Sequence, residues 1–201
     1  MKALLLIDVQ PDFMPGGRLP VTGGDQILPL LNQLQARFDL VVATQDWHPA
    51  GHHSFASSHP GHAPFEQIYL HGLPQVLWPD HCVQGTPGAA LHPDLSTDRV
   101  EAIFRKGTDP EIDSYSGFFD NGHLKSTGLA DYLRGRGITA VYVVGLAGDY
   151  CVSFSAKDAL KEGFATFLIE DATRAIDEAG FMQAKSDLVQ HGGRVVQSKD
   201  I

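Results

Sequence analysis

Cys151 closes the run Gly145-Leu146-Ala147-Gly148-Asp149-Tyr150-Cys151, a turn of small residues between an apolar stretch and a segment of helical periodicity. A thiol in the first turn of a helix feels the dipole and the unpaired N–H groups, which lower its pKa and favour the nucleophilic thiolate. The same N–H groups can hold an oxyanion formed when that thiolate attacks a carbonyl. On position alone, a small core residue on a buried helix face accounts for Cys151 equally well. The other cysteine, Cys82, follows His81 in Trp78-Pro79-Asp80-His81-Cys82. Catalytic partners must meet in space, not in sequence, so Cys82 is read as structural.

A thiol nucleophile needs a base and a group that orients or charge-stabilises that base. Asp8 ends the apolar run that starts at Lys2, where burial raises a carboxyl pKa unless a cation lies close. Lys106, after Phe104-Arg105, is such a cation. Cys151, Asp8 and Lys106 therefore form a coherent chemical set. Taken singly, Asp8 also reads as a strand-end cap and Lys106 as a solvated surface lysine.

A second cluster is rich in imidazole: seven of the ten histidines lie between His48 and His81. Asp46-x-His48, His52 and His81 supply one carboxylate and three imidazoles. That N/O set suits zinc, with iron or manganese as alternatives, and leaves water positions open where a substrate binds. His53, His59, His62 and His71 are read as solvated loop residues.

These groups need a frame. Apolar, β-branched runs at 2–7, 40–44, 100–104, 138–144, 165–169 and 193–197 predict six strands. Helical spacing predicts helices over 25–38, with Asp25 as N-cap, and over 127–136, 152–162 and 178–191. Strands that alternate with helices and are apolar on both faces imply an α/β fold, a parallel sheet covered on both sides. Ligands of such sheets bind beyond the carboxyl ends of the strands. Asp8, Asp46, His48, Lys106 and the Cys151 turn all follow strands, so every candidate group falls at one edge. The segment 46–98, rich in Gly, Pro and His, reads as a functional loop region inside one domain spanning 1–201.

Composition narrows the function classes. Fifteen basic against 24 acidic residues give a net charge of −9, which disfavours nucleic acid and anionic lipid. No apolar run reaches the length of a membrane span or a secretory leader, and two cysteines make no disulfide framework. The expected location is the cytoplasm. Gly135-Arg136-Gly137 precedes a strand instead of opening a helix, which excludes a dinucleotide loop.

Seven ordered stretches together resemble the nicotinamidase/pyrazinamidase family of the isochorismatase-like hydrolase superfamily, over essentially the whole chain. They are Ile7-Asp8-Val9-Gln10-Pro11-Asp12-Phe13, Gln45-Asp46-Trp47-His48-Pro49, His52-His53-Ser54-Phe55, Trp78-Pro79-Asp80-His81-Cys82-Val83-Gln84-Gly85-Thr86, Arg105-Lys106-Gly107, Asp113-Ser114-Tyr115-Ser116-Gly117-Phe118 and Gly148-Asp149-Tyr150-Cys151-Val152. The resemblance implies a three-layer fold with a six-stranded, mostly parallel sheet. It implies Asp8 as base, Lys106 as its cationic partner, Cys151 as nucleophile, and Asp46, His48, His52 and His81 as ligands of one divalent metal ion. It further implies Phe13, Trp78 and Tyr115 as walls of a substrate pocket, and backbone N–H groups of Ala147 and Cys151 as an oxyanion hole, with a cis bond before Ala147. Gly148 departs from the family pattern, in which Thr is frequent. The implied reaction is hydrolysis of nicotinamide, and of pyrazinamide, through a thioester, recycling nicotinamide toward NAD; a homodimer is left open. The alternative is a metal-independent cysteine amidase of the same superfamily acting on another small amide.

Overall fold

The computed structural model describes residues 1–201. Its centre is a six-stranded sheet made of β1 (Lys2–Ile7), β2 (Leu40–Asp46), β5 (Val100–Lys106), β6 (Ala140–Gly145), β7 (Ala165–Thr173) and β8 (Arg194–Val196). The strand order is β5-β2-β1-β6-β7-β8, and every neighbouring pair is parallel. Successive side chains of a strand face opposite ways, and β1 is apolar on both sides. Leu4 and Leu6 enter one core, together with Leu28, Leu31 and Leu34 of α1 (Leu28–Leu34). Ala3, Leu5 and Ile7 enter the other, which is closed by α2 (Leu129–Gly135), α3 (Ser153–Lys161) and α4 (Glu178–Gln190). Each fully buried Leu or Ile contributes about 1.5–3 kcal/mol, so the central strand anchors both layers. The expected three-layer α/β architecture is present.

The chain moves from β1 outward through β2 to β5, then returns to place β6 on the other flank of β1. That reversal opens a crevice at the carboxyl ends of β1, β2 and β6. Register carries the site residues into it. Asp46 pairs with Lys106 across β2 and β5, and Ile7 pairs with Gly145 across β1 and β6.

Three local expectations are corrected. The helix expected over 25–38 is α-helical only from Leu28 to Leu34, flanked by 3₁₀ turns at Gly24–Ile27 and Gln35–Arg37. Pro29 sits in the first turn of α1, where its missing N–H costs nothing, and Asp25 lies inside the preceding turn while Gly23 takes the cap position. The segment 46–98 also holds a hairpin, β3 (Gln67–Leu70) and β4 (Leu73–Val76), whose tip residues His71 and Gly72 have φ of 50° and 82°. Its polar residues and Pro74 hide the strand alternation. Finally, the stretch before α3 is a π-type turn, Gly148–Val152, so Cys151 precedes the α-helix instead of opening it. No helix is long and apolar enough to cross a membrane.

Candidate active site

Asp8 leaves β1 with a left-handed φ of 48° and is completely buried. Thr44 on the neighbouring strand fixes it twice: its hydroxyl donates to Asp8 Oδ1 at 2.6 Å, and the Asp8 amide donates to Thr44 Oγ1 at 3.1 Å. Lys106 is buried too, and its Nζ forms ion pairs with Asp8 Oδ2 at 2.8 Å and Asp46 Oδ1 at 2.9 Å. The same ammonium donates to the Ser114 carbonyl at 2.9 Å and lies 3.5 Å from Cys151 Sγ. A solvated surface lysine is thereby excluded. Burial alone would lower the Lys106 pKa, yet the Asp46 and Asp8 carboxylates outweigh it and hold the ammonium charged far above neutrality. For Asp8 burial prevails over Lys106, and its pKa is raised from 3.8.

Cys151 is buried, and burial pushes its thiol well above the ordinary value despite the Lys106 charge. This corrects the expectation of a depressed thiol pKa: with water excluded, the resting group is the thiol, and the neighbouring Asp8 carboxylate, whose charge raises that pKa further, is the group placed to take its proton. The peptide bond Leu146–Ala147 is cis, as the resemblance implied. Asp149 anchors the turn, accepting from the Ile176 amide at 3.0 Å and the Asp177 amide at 2.9 Å. At Gly148 a Cβ would lie 2.8 Å from the Phe181 ring and 3.0 Å from Thr173 Cγ2, so here Phe181 fills the space a larger residue would need.

On the other side of Lys106, His48 Nε2 and His81 Nε2 lie 3.1 and 3.4 Å from Asp46 Oδ2. Gln10 clamps the Asp46 backbone, donating to its carbonyl at 2.9 Å and accepting from its amide at 2.8 Å. The second nitrogen of each imidazole decides what the first can do. His48 Nδ1 faces the Gly107 carbonyl at 3.0 Å, and His81 Nδ1 faces the Pro79 carbonyl at 2.7 Å. Carbonyls only accept, so both Nδ1 atoms carry a proton, and in the neutral rings both Nε2 atoms offer a lone pair. His52 is opposite: the Ser54 amide donates to its Nδ1 at 3.0 Å, so its neutral ring carries the proton on Nε2. Burial pushes the His52 pKa down to about 4, which keeps that ring neutral.

The donor atoms accordingly fall into two groups, Asp46 with His48 and His81, and His48 with His52 and Asp113. The Nε2 atoms of His48 and His52 are buried without a hydrogen-bond partner. Such orphaned atoms beside a carboxylate fit a divalent cation or its ligands, and zinc, iron and manganese all accept this donor set. Gly107 makes the close approach feasible, since a Cβ there would lie 2.4 Å from His48 Cε1 and its φ is 64°. His53, beside His52, turns outward to Glu111. The histidines expected to be merely solvated are in part paired, His62 with Glu66 at 2.7 Å and His71 with Glu111 at 2.8 Å.

A cavity joins the two halves, with Cys151, Asp46 and His81 in its lining. Phe13, Trp78 and Tyr115, expected as walls of a substrate pocket, border it together with Tyr150 and Ile176. Trp78 meets Tyr150 edge-on at 4.8 Å and Tyr115 at 6.2 Å, so the rings of this wall brace one another. Gln75 on β4 donates to Asp113 Oδ2 at 3.0 Å and to the Tyr115 hydroxyl at 3.2 Å, bracing that wall. Cys82 stays apart: it is buried, and its amide donates to Asp12 Oδ2 at 2.7 Å. Sequence reasoning missed Thr44, Gln10, Gln75 and Tyr150. Thr44 stands at an expected strand end and Gln10 and Tyr150 lie inside the matching stretches, whereas Gln75, on the unexpected hairpin, carried no signal.

A model of the isochorismatase domain matches residues 2–200, and the chain belongs to that family. The nicotinamidase of Acinetobacter baylyi is 50% identical over 200 residues, 99% of this chain and 94% of that protein. The solved nicotinamidase/pyrazinamidase of Acinetobacter baumanii superposes with a TM-score of 0.97 at 50% identity, covering 99% of this chain and 97% of that one. The pyrazinamidase of Pyrococcus horikoshii, solved in complex with zinc, superposes with a TM-score of 0.80 at 40% identity, covering 98% of each chain. Within the family the chain is a member of the nicotinamidase/pyrazinamidase branch, and so an amide hydrolase.

Proposed function

We propose that this enzyme hydrolyses nicotinamide to nicotinate and ammonia, and pyrazinamide in the same way, as a cytoplasmic salvage step toward NAD. One observation carries the reading: the Lys106 ammonium touches Asp8, Asp46 and Cys151 at once, beneath an aromatic-walled cavity.

Asp8 takes the Cys151 proton as sulfur attacks the carboxamide carbon. The raised thiol pKa makes such a base necessary, because little thiolate exists at rest. The amides of Ala147 and Cys151 receive the oxyanion, a term worth about 3 kcal/mol per donor. Asp8 returns the proton to the departing nitrogen, so ammonia leaves and a thioester to Cys151 remains. Water then attacks that thioester, giving its proton to Asp8. Sulfur takes the proton back as nicotinate is freed. Lys106 stays protonated throughout, holding Asp8 in place and offsetting its charge.

Asp46, His48 and His81 would hold one divalent ion, zinc by the resemblance to the Pyrococcus horikoshii protein, with iron or manganese alternatives. When bound, that ion supplies an electron-pair acceptor for the ring nitrogen and so orients the carboxamide toward Cys151. His52, expected as a fourth ligand, is better suited to donate its Nε2 proton beside the ion, because the Ser54 amide occupies its other nitrogen. Phe13 and Trp78 clasp the ring and keep water from its faces. The test is ammonia release from nicotinamide with and without a chelator. Release that the chelator suppresses is expected; no release from nicotinamide by the metal-replete enzyme overturns the proposal.

A further inference from the structure

We propose a second metal site on the surface, formed by His53, His71 and Glu111, that binds zinc independently of the central one. Their donor atoms lie within 4.8 Å of one another. Glu111 Oε2 is shared, 3.3 Å from His53 Nδ1 and 2.8 Å from His71 Nε2. A tetrahedral zinc ion with bonds of about 2.0–2.1 Å holds its ligand atoms roughly 3.3 Å apart, close to the two separations from Glu111 Oε2. Two imidazoles, one carboxylate and an open fourth position for water form an ordinary zinc environment.

The three residues come from three separate segments, and each is held in place. His53 donates its amide to the Pro110 carbonyl at 2.9 Å, and the Glu111 amide donates to Asp109 Oδ1 at 3.0 Å. His71 occupies the first left-handed position of the hairpin tip, with φ of 50°, where the turn itself favours Gly, Asn or Asp. Its side chain is not needed by the turn, and it reaches across to Glu111. The half-exposed surroundings leave the site open to ions from solution.

The consequence is mechanical. The hairpin carries Gln75, the 109–121 segment carries Asp113 and Tyr115, and His53 adjoins His52. An ion on His53, His71 and Glu111 would fasten these three segments together from outside the pocket. No residue of the set lines the cavity, so basal hydrolysis does not depend on it.

The test counts zinc. Wild type, His71→Ala and Glu111→Gln are equilibrated in the same micromolar zinc chloride, and bound zinc per chain is measured by plasma mass spectrometry, with circular dichroism confirming the fold. Both variants are expected to bind one equivalent fewer than wild type, whatever the central site holds. A zinc count in either variant equal to that of wild type overturns the proposal. Since the readout is a difference, an empty central site would lower all three counts alike and leave this result legible.

Discussion

Asp46 and Lys106 are register partners on adjacent parallel strands, and their side chains meet at 2.9 Å. One strand pairing thus joins the proposed metal ligands to the proposed acid–base pair, since Lys106 also reaches Asp8 at 2.8 Å. Removing the ammonium leaves two carboxylates buried without their counter-ion.

Lys106→Met should therefore damage both rate and stability. Breaking a buried ion pair from one side costs about 3–5 kcal/mol, and kcat should fall by roughly 100-fold or more. Thermal unfolding and steady-state kinetics check this. A variant with wild-type Tm and kcat would remove Lys106 from the account.

The two cysteines should separate cleanly. Cys151→Ala is expected to lower kcat by roughly 1000-fold or more. Cys82→Ala, buried outside the cavity, should cost about 1 kcal/mol of stability and little rate. Comparable rate losses in two folded variants would contradict the assignment.

The imidazoles should divide by tautomer. His48→Ala and His81→Ala are expected to lose bound metal, whereas His52→Ala should keep it and show a raised KM for nicotinamide. Metal analysis and kinetics on the three variants settle this, and metal loss in His52→Ala equal to that in His48→Ala would restore His52 as a ligand. Benzamide, which lacks the ring nitrogen, should have a kcat/KM lower by roughly 100-fold or more in the metal-replete enzyme, because a buried partner left unpaired rejects the analogue. Equal turnover of the two amides would refute an orienting role for the ion.

The acid side of the pH profile should report Asp8. Its pKa is raised from 3.8 because burial outweighs Lys106, so the base takes up its proton above the ordinary carboxylate range. The sign for stability is opposite to that for activity. A group that binds its proton more tightly when folded stabilises the fold below 3.8, and this contribution is lost as pH rises through the raised value. Protonation of Asp8 should thus reduce kcat/KM while the protein stays folded, as circular dichroism over the same pH range would show. Unfolding that tracks the activity loss would assign the limb to another group.

Much of the frame was legible because β1, β2 and β6 are buried on both faces and their apolar runs are continuous. Their carboxyl ends marked Asp8, Asp46 and the Cys151 turn before any contact was known. Lys106 was recognisable by its position, but β5 alternates in exposure, so its complete burial was not. Thr44 and Gln10 act through paired hydrogen bonds to residues far away in sequence, which leave no periodic trace. His52 and His53 could be told apart only by where each ring points, since the pattern around them admits both. The thiol pKa went the other way from the expectation because desolvation of Cys151 exceeds any benefit from the following helix. The hairpin tip at His71 and Gly72 lacks the usual turn residues at its first position and was hidden for that reason.

The central claim is that Cys151 carries the acyl group. Rapid acid quench of the enzyme during nicotinamide turnover, followed by proteolysis and mass spectrometry, reads it directly. A nicotinoyl adduct on the peptide containing Cys151, absent from Cys151→Ala and unaffected in Cys82→Ala, is predicted. Full turnover with no adduct under conditions that trap a thioester, or an adduct on Cys82, would contradict the account.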